Sequence, residues 1–549
     1  MCKGFTILNF GDVQENIQKQ QRKMGAIIAV LKLVAWKTYF LFINLVFEVY
    51  NYFIPREIVS KPRDPLLLLS AKQLVEKLKA KEVRSVEIIK AYIKRIDEVN
   101  KVINAAINKN YENALDLAQK CDEELEKVEA NSEEMEKIYA EKPLFGVPFT
   151  VKDSMEYAGL NVTCGIPARK GIISKETAPV LQNLSDFGAI LLALTNVPEI
   201  CMWMESNNSI YGRSNNPYDS RRAVGGSSGG EGALLAAAGS VIGVGSDIGG
   251  SIRIPSLFNG VFGLKTTQTL INGELHLPIG MEDGGHRKEL AVIGPLCRYA
   301  SDLPLMLKAM SPLAYEKLKV DEPMNLDGLR VYYMTHIDGN EKEPVDWEIS
   351  KGLQDVVRHL EMDVGMRSEK VHFAEFENIF NIWLAAMYAP ELPPLSEWLT
   401  NKEYALNLPS EIVKSVFGKS EHTFAALMGG LTDKYPPFDN DGYKKLIAEL
   451  CVLRTKVQNL LADNAILIFP GWNTPAPYHN QPLLTPYNIA YTILWNCTST
   501  PVAAVPLGLN RDGLPIGCQI VGAPDSERLL VSVAQELERK FGGWTPPRS

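Results

Sequence analysis

Eight cysteines in 549 residues are few, and no two stand as a CxxC pair or at metal-ligand spacing. Neither a disulfide framework nor a zinc site is therefore written into the chain, and the cysteines read as buried thiols. The seven histidines fall outside any motif, so a histidine base has no marked candidate. His276 and His286 lie in loop-like sequence, and His479 follows Pro475-Ala476-Pro477-Tyr478. No GxxxxGK(S/T) occurs, which removes the P-loop and with it the simplest nucleotide-binding reading of the glycine-rich segments. Internal repeats and low-complexity tracts are missing too. A basic body is also lacking: of the net charge of −8, residues 1–63 carry +5 and the remainder about −13. That split argues against a nucleic-acid partner and leaves a basic N-terminus able to meet a membrane surface.

Long apolar runs are scarce, with one exception. Residues 26–47 form a 22-residue apolar segment interrupted by Lys32 and Lys37, long enough to cross a bilayer. Lys32 sits in its N-terminal half and Lys37 at its middle, both on stems that can snorkel, and no small-residue cleavage site follows. The expected organisation is a disordered N-terminus over 1–23, a transmembrane or interfacial anchor over 24–54, a proline-rich linker over 55–65 and a catalytic domain over 66–549. A membrane location, on an intracellular membrane, follows from the anchor. Four sequon-like triplets begin at Asn161, Asn183, Asn207 and Asn496. The first three fall in the densest part of the chain, where a glycan would obstruct packing, so they carry little weight for a lumenal location.

Within the catalytic segment, Ser70 with Gln73 predicts a capping box opening a helix. A second helix starts at Ser85, with Val86, Ile89, Ile93 and Ile96 on one stripe. Residues 111–140 read as one acidic outer helix with Leu115, Ala118 and Cys121 turned inward. Short apolar runs at 147–151, 188–194 and 241–245 read as buried strands, and the alanine-rich 231–238 as a helix. Strands alternating with helices predict an α/β fold with a central mixed sheet. The apolar clusters between 373 and 430 are core or the lining of an acyl-chain channel.

Three polar residues stand out against this background. Ser227 lies in Gly225-Gly226-Ser227-Ser228-Gly229-Gly230, Ser251 follows 24 residues later in Asp247-Ile248-Gly249-Gly250-Ser251, and Lys152 precedes Ser227 by 75 residues at the end of Val147-Pro148-Phe149-Thr150-Val151. Glycines let the main chain approach a reacting carbonyl and aim its N–H groups at a developing oxyanion. A lysine serves as base at neutral pH only if its pKa falls by roughly 3 units, which burial can supply.

These blocks resemble the amidase signature family of serine hydrolases, from about Leu66 to the C-terminus, with weaker echoes at 293–296 and 513–522. The resemblance implies an amidase-signature fold and hydrolysis of carboxylic amides without metal or organic cofactor. It implies Ser251 as nucleophile, Ser227, preceded by a cis peptide bond, as proton relay, and Lys152 as base. Ile248, Gly249, Gly250 and Ser228 are the expected oxyanion and substrate-binding positions, and Asp153 and Arg253 are expected to be structural. With its apolar N-terminal segment the chain resembles the fatty-acid amide hydrolases within that family, and the resemblance implies a lipid amide and a membrane as partners, with a homodimer as a further expectation. Short-chain or aryl amides are the alternative substrates. A tRNA-amidotransferase subunit shares the signature but leaves the apolar segment unexplained. Gly226-Ser227-Ser228-Gly229-Gly230 also fits the GxSxG elbow of α/β-hydrolase esterases with Ser228 as nucleophile. That elbow requires a strand before it, whereas residues 215–222 are loop chemistry.

Overall fold

The computed structural model describes residues 10–278 and 285–548. Its centre is an eleven-stranded sheet. From one edge to the other the strands are Ala106–Lys109, Ile190–Thr195, Pro148–Lys152, Ile242–Asp247, Val292–Cys297, Phe262–Lys265, Val502–Leu509, Pro515–Gly522, Ile466–Pro470, Arg330–Tyr333 and Arg367–Lys370. Pro148–Lys152 runs parallel to both of its neighbours, and Arg330–Tyr333 does likewise near the far edge. The middle is antiparallel, so the sheet is mixed, as expected. The parallel strands beside Lys152 read as largely apolar runs, and Pro148–Lys152 and Ile190–Thr195 are buried at every position. Both faces of such a strand lie under helices, which is why alternation is missing from its sequence.

The local signals hold where the chain is locally determined. Ser70 accepts from the Gln73 amide and Gln73 returns the bond to the Ser70 amide, and the helix Ser85–Ile103 follows. The acidic stretch is not one helix but two, Tyr111–Leu125 and Glu133–Glu141. Asn131 adopts φ 53° and the Ser132 hydroxyl caps the Met135 amide, restarting the helix.

The N-terminus departs from expectation more strongly. A single helix spans Phe10–Tyr52, so positions 10–23, expected to be disordered, are helical; residues 1–9 lie outside the described residues. Its C-terminal half is docked on the body. Tyr39 donates to the Leu484 carbonyl, Asn44 donates to Glu343 and accepts from Gln481, and Arg221 donates to the Asn51 carbonyl. Val30–Tyr52 is long and apolar enough to cross a membrane. Leu41, Phe42, Leu45, Val46 and Val49 remain exposed on it.

Candidate active site

Adjacent strands bring the first two polar groups together. Pro148–Lys152 and Ile242–Asp247 pair in parallel with Val151 opposite Val244, so Lys152 and Ser246 emerge at the same end of the sheet. The Lys152 side chain is buried in protein and donates to Ser227 Oγ at 2.6 Å and Ser246 Oγ at 2.8 Å. Ser227 arrives on the glycine loop ahead of the helix Gly229–Ala236, with its Gly226–Ser227 peptide cis. A Cβ at Gly226 would stand 2.3 Å from the Trp203 carbonyl oxygen, so only glycine lets this loop lie against the segment beneath it.

Ser251 opens onto the same inner chamber as Lys152, Ser227 and Ser246. The chamber, about 30 Å³, admits one or two waters. Beyond Ser251 lies a larger apolar cavity of about 210 Å³, walled by Trp383, Phe380, Leu384, Met387, Met428 and Ile489 among others. The clusters after residue 373 therefore divide. Phe376, Ile379 and Ile382 are core, whereas Phe380, Trp383 and Leu384 face the cavity.

Asp247 shapes the Ser251 loop. Its carboxylate accepts from the Gly250 and Ile252 amides at 2.8 and 3.1 Å and from Arg253 Nε and Nη2, both at 3.0 Å. Burial works to raise this carboxyl, but the Arg253 guanidinium overrides it and holds the group well below the usual carboxylate range. Arg253 in turn donates to the Thr492 carbonyl, Gln519 and Asn496. Of the expected oxyanion residues, Ile248 and Gly249 wall the cavity beside Ser251. The Gly250 amide is bound by Asp247, so Gly250 braces the loop. Ser228 is fully buried, its amide donating to the Ser251 carbonyl and its hydroxyl to the Ser246 carbonyl. It stands at the mouth of neither chamber, and no strand leads into it: the segment before it carries only the two-residue strand Gly212–Arg213. The elbow reading fails on both counts.

Four groups at the site carry no local sequence signal. Ser246 and Ser154 are joined through His276, whose Nε2 lies 2.8 Å from Ser246 Oγ and 3.1 Å from Ser154 Oγ. His276 reaches the site because residues 154–156 pair with 275–277, through Glu156 N to Leu275 O and Leu277 N to Ser154 O. The fourth is Cys201, which lines both chambers. Register between neighbouring strands could have flagged Ser246; the loop pairing that delivers His276 has no signature in composition or period. Of the other histidines, His286 lies beside Glu289 and His479 beside Glu205, both away from this site. Asp153 is structural too, accepting from the Thr163 amide and hydroxyl. Among the described residues no group of acidic, histidine and cysteine side chains is arranged to hold a metal ion. Asn496 is buried beside Asp247, which removes the fourth sequon from consideration as a glycan site.

A mixed α/β sheet carrying this lysine and these two serines defines a class, and the amidase family pattern matches residues 87–531. The chain belongs to the amidase signature family and is a hydrolase of amide C–N bonds. It is 38% identical over 490 residues to fatty-acid amide hydrolase 2 of Homo sapiens, covering 88% of this chain and 91% of that protein. Identity to fatty-acid amide hydrolase 2-A of Danio rerio is 36% over 529 residues, 94% of this chain and 96% of that one. The fold matches that of 6-aminohexanoate cyclic dimer hydrolase with a TM-score of 0.71 at 22% identity, over 88% of this chain and 99% of the other.

Proposed function

We propose that the protein hydrolyses long-chain fatty-acyl amides to fatty acid and amine by an acyl-enzyme route on Ser251. The observation that carries this reading is the apolar cavity ending at Ser251, with the Lys152–Ser227 hydrogen bond directly behind it. Lys152, in its unprotonated form, takes the Ser227 proton as Ser227 takes that of Ser251. The Ser251 oxygen attacks the amide carbonyl, and the oxyanion forms beside the backbone of Ile248 and Gly249. Fixed donors in such a place are worth about 3–4 kcal/mol each. The relay then runs backwards to protonate the leaving amine, which departs poorly as an anion. A water held in the inner chamber repeats the sequence on the acyl-enzyme.

The N-terminal helix serves in this reading as an interfacial attachment. Tyr39, Asn44 and Asn51 hold one side of it to protein, while the exposed leucines, valines and Phe42 take the lipid side, so the lipid substrate enters from the bilayer.

Ser251→Ala abolishes amide hydrolysis and fluorophosphonate labelling, while the fold persists by circular dichroism. Peptide mapping that found the adduct of the wild-type protein on Ser228 would overturn the assignment. A panel of acyl amides decides the substrate class: turnover confined to short-chain or aryl amides would replace the lipid reading.

A further inference from the structure

Two thiols meet behind the catalytic loop. Cys164 Sγ and Cys201 Sγ are 3.4 Å apart, brought together from 37 residues' separation. Cys164 is fully buried, whereas Cys201 is 7% exposed and forms wall in both chambers, beside Ser251 in the outer one and beside Lys152 and Ser227 in the inner one. Each thiol sits on a segment held from elsewhere. Thr163 is tied to Asp153, and Glu199 accepts from the Thr423 amide and hydroxyl. Three residues of this pair of segments, Cys164, Ile200 and Cys201, have φ of 53°, 51° and 56°. Side chains other than glycine, and a β-branched isoleucine above all, rarely occupy that region. Strain of this kind gathers where a loop has work beyond packing.

The chemistry of the two sulfurs differs. Burial acts to raise the Cys201 thiol, but the Cys164 hydrogen bond and the Ser227 and Ser154 hydroxyls bring it down. Burial holds the Cys164 thiol up. One thiol is thus favoured as the attacking thiolate, and the other waits beside it as a resolving thiol.

We propose that Cys201 and Cys164 form a modification site for organic hydroperoxides, which enter through the apolar cavity and oxidise the pair to a disulfide. The Cys201 thiolate attacks the distal peroxide oxygen; the S–O bond forms, the O–O bond breaks, and the alkoxide leaves as alcohol after taking a proton. Cys164 then attacks the Cys201 sulfur of the sulfenic acid, forming the S–S bond and expelling hydroxide, which leaves as water. Two thiols and one hydroperoxide give one disulfide, one alcohol and one water, a two-electron exchange. The loop that must shift is the one whose Trp203 carbonyl abuts Gly226, so closing the S–S distance displaces the Gly226–Ser227 segment and lowers amide turnover. That last consequence rests on the Ser251–Ser227–Lys152 reading; formation of the disulfide does not.

The test uses the full-length protein and cumene hydroperoxide. Non-reducing peptide mapping shows a Cys164–Cys201 linkage, amide turnover falls at least about tenfold, as disturbance of an acid–base relay predicts, and dithiothreitol restores it. Cys164→Ser, a core substitution outside both chambers, keeps basal turnover. Under sustained peroxide it loses activity that dithiothreitol no longer restores, because Cys201 passes on to sulfinic acid. Oxidation confined to the exposed Cys451, or full recovery of Cys164→Ser, would overturn the proposal. If the linkage forms in a protein that hydrolyses no amide, the dithiol stands and the catalytic reading falls.

Discussion

Lys152→Ala removes the donor that Ser227 and Ser246 share. Acid–base groups of this kind contribute about 10²–10⁴-fold, so amide turnover falls by at least two orders of magnitude. Ester turnover falls less, because an alkoxide leaves with less help from a proton, and raised pH recovers part of the loss. Wild-type amide turnover in Lys152→Ala, compared with a matched ester across pH, would make the lysine structural. A second residue, Glu231, fixes a pH dependence of stability. It is fully buried on the helix over the catalytic strands, accepting from Thr150 and Thr195 at 2.8 Å each, and burial pushes its carboxyl up to about 8. The folded state therefore binds this proton where the unfolded chain has already released it. Stability is full below the ordinary glutamate range and is lost as pH rises from there to about 8, at most about 1.4 kcal/mol per unit. Glu231→Gln flattens that loss, measured as the difference in urea midpoints between pH 5 and pH 8; an unchanged slope would rule Glu231 out as its source. Lys152, Ser227 and Ser251 were legible in the sequence as a set, because the three short blocks that hold them together resemble the amidase signature; singly, a lysine after an apolar strand and a serine after two glycines are ordinary. Ser246, His276 and Cys201 were not, because their place at the site is made by strand register and loop packing across distances that no short window contains.

Among the elements, the N-terminal helix teaches the most about that limit. Its length and apolarity were plain from composition, and so was an anchoring role as an expectation. Its docking was hidden, since Asn44, Glu343 and Gln481 come from three distant parts of the chain. Deleting 1–54 does more than remove the proposed attachment. Glu343 keeps its Asn488 donor but loses Asn44, and a hydrogen bond of this kind is worth about 0.5–1.5 kcal/mol net. The truncated protein moves to the soluble fraction and melts lower than the full chain, whereas deleting 1–28 leaves the melting temperature in place. Equal melting temperatures for the two truncations would deny the docking a share in stability. A second element contact belongs to the cavity wall. Glu199 accepts from His422 at 2.7 Å and from the cap of the helix Phe424–Lys434, whose Met428 lines the cavity. Burial lowers the His422 pKa, but Glu199 raises it further. The protonated contact is complete at acid pH and weakens as pH rises through the raised value. His422→Gln should raise KM for long-chain amides while sparing kcat; a fall in kcat at constant KM would show that the contact serves the chemistry and not the wall.

At the scale of the molecule, strand order was beyond reach of the sequence. Alternating helices and strands fixed the class, but nothing local says that Val502–Leu509 lies next to Phe262–Lys265, more than two hundred residues back in the chain. The order also leaves the sheet open, and an open sheet has two unpaired borders, each a template on which another chain could add a strand. One border is Arg367–Lys370, which reads Arg-Ser-Glu-Lys and is largely exposed. The other, Ala106–Lys109, is four residues long, is irregular in register and ends on an exposed lysine. Charge at one margin and brevity at the other make strand addition unrewarding at both borders of the sheet. Exchanging Arg367, Glu369 and Lys370 together for threonine should expose this restraint as growing light scattering on storage, with catalysis intact in the fraction that stays dissolved.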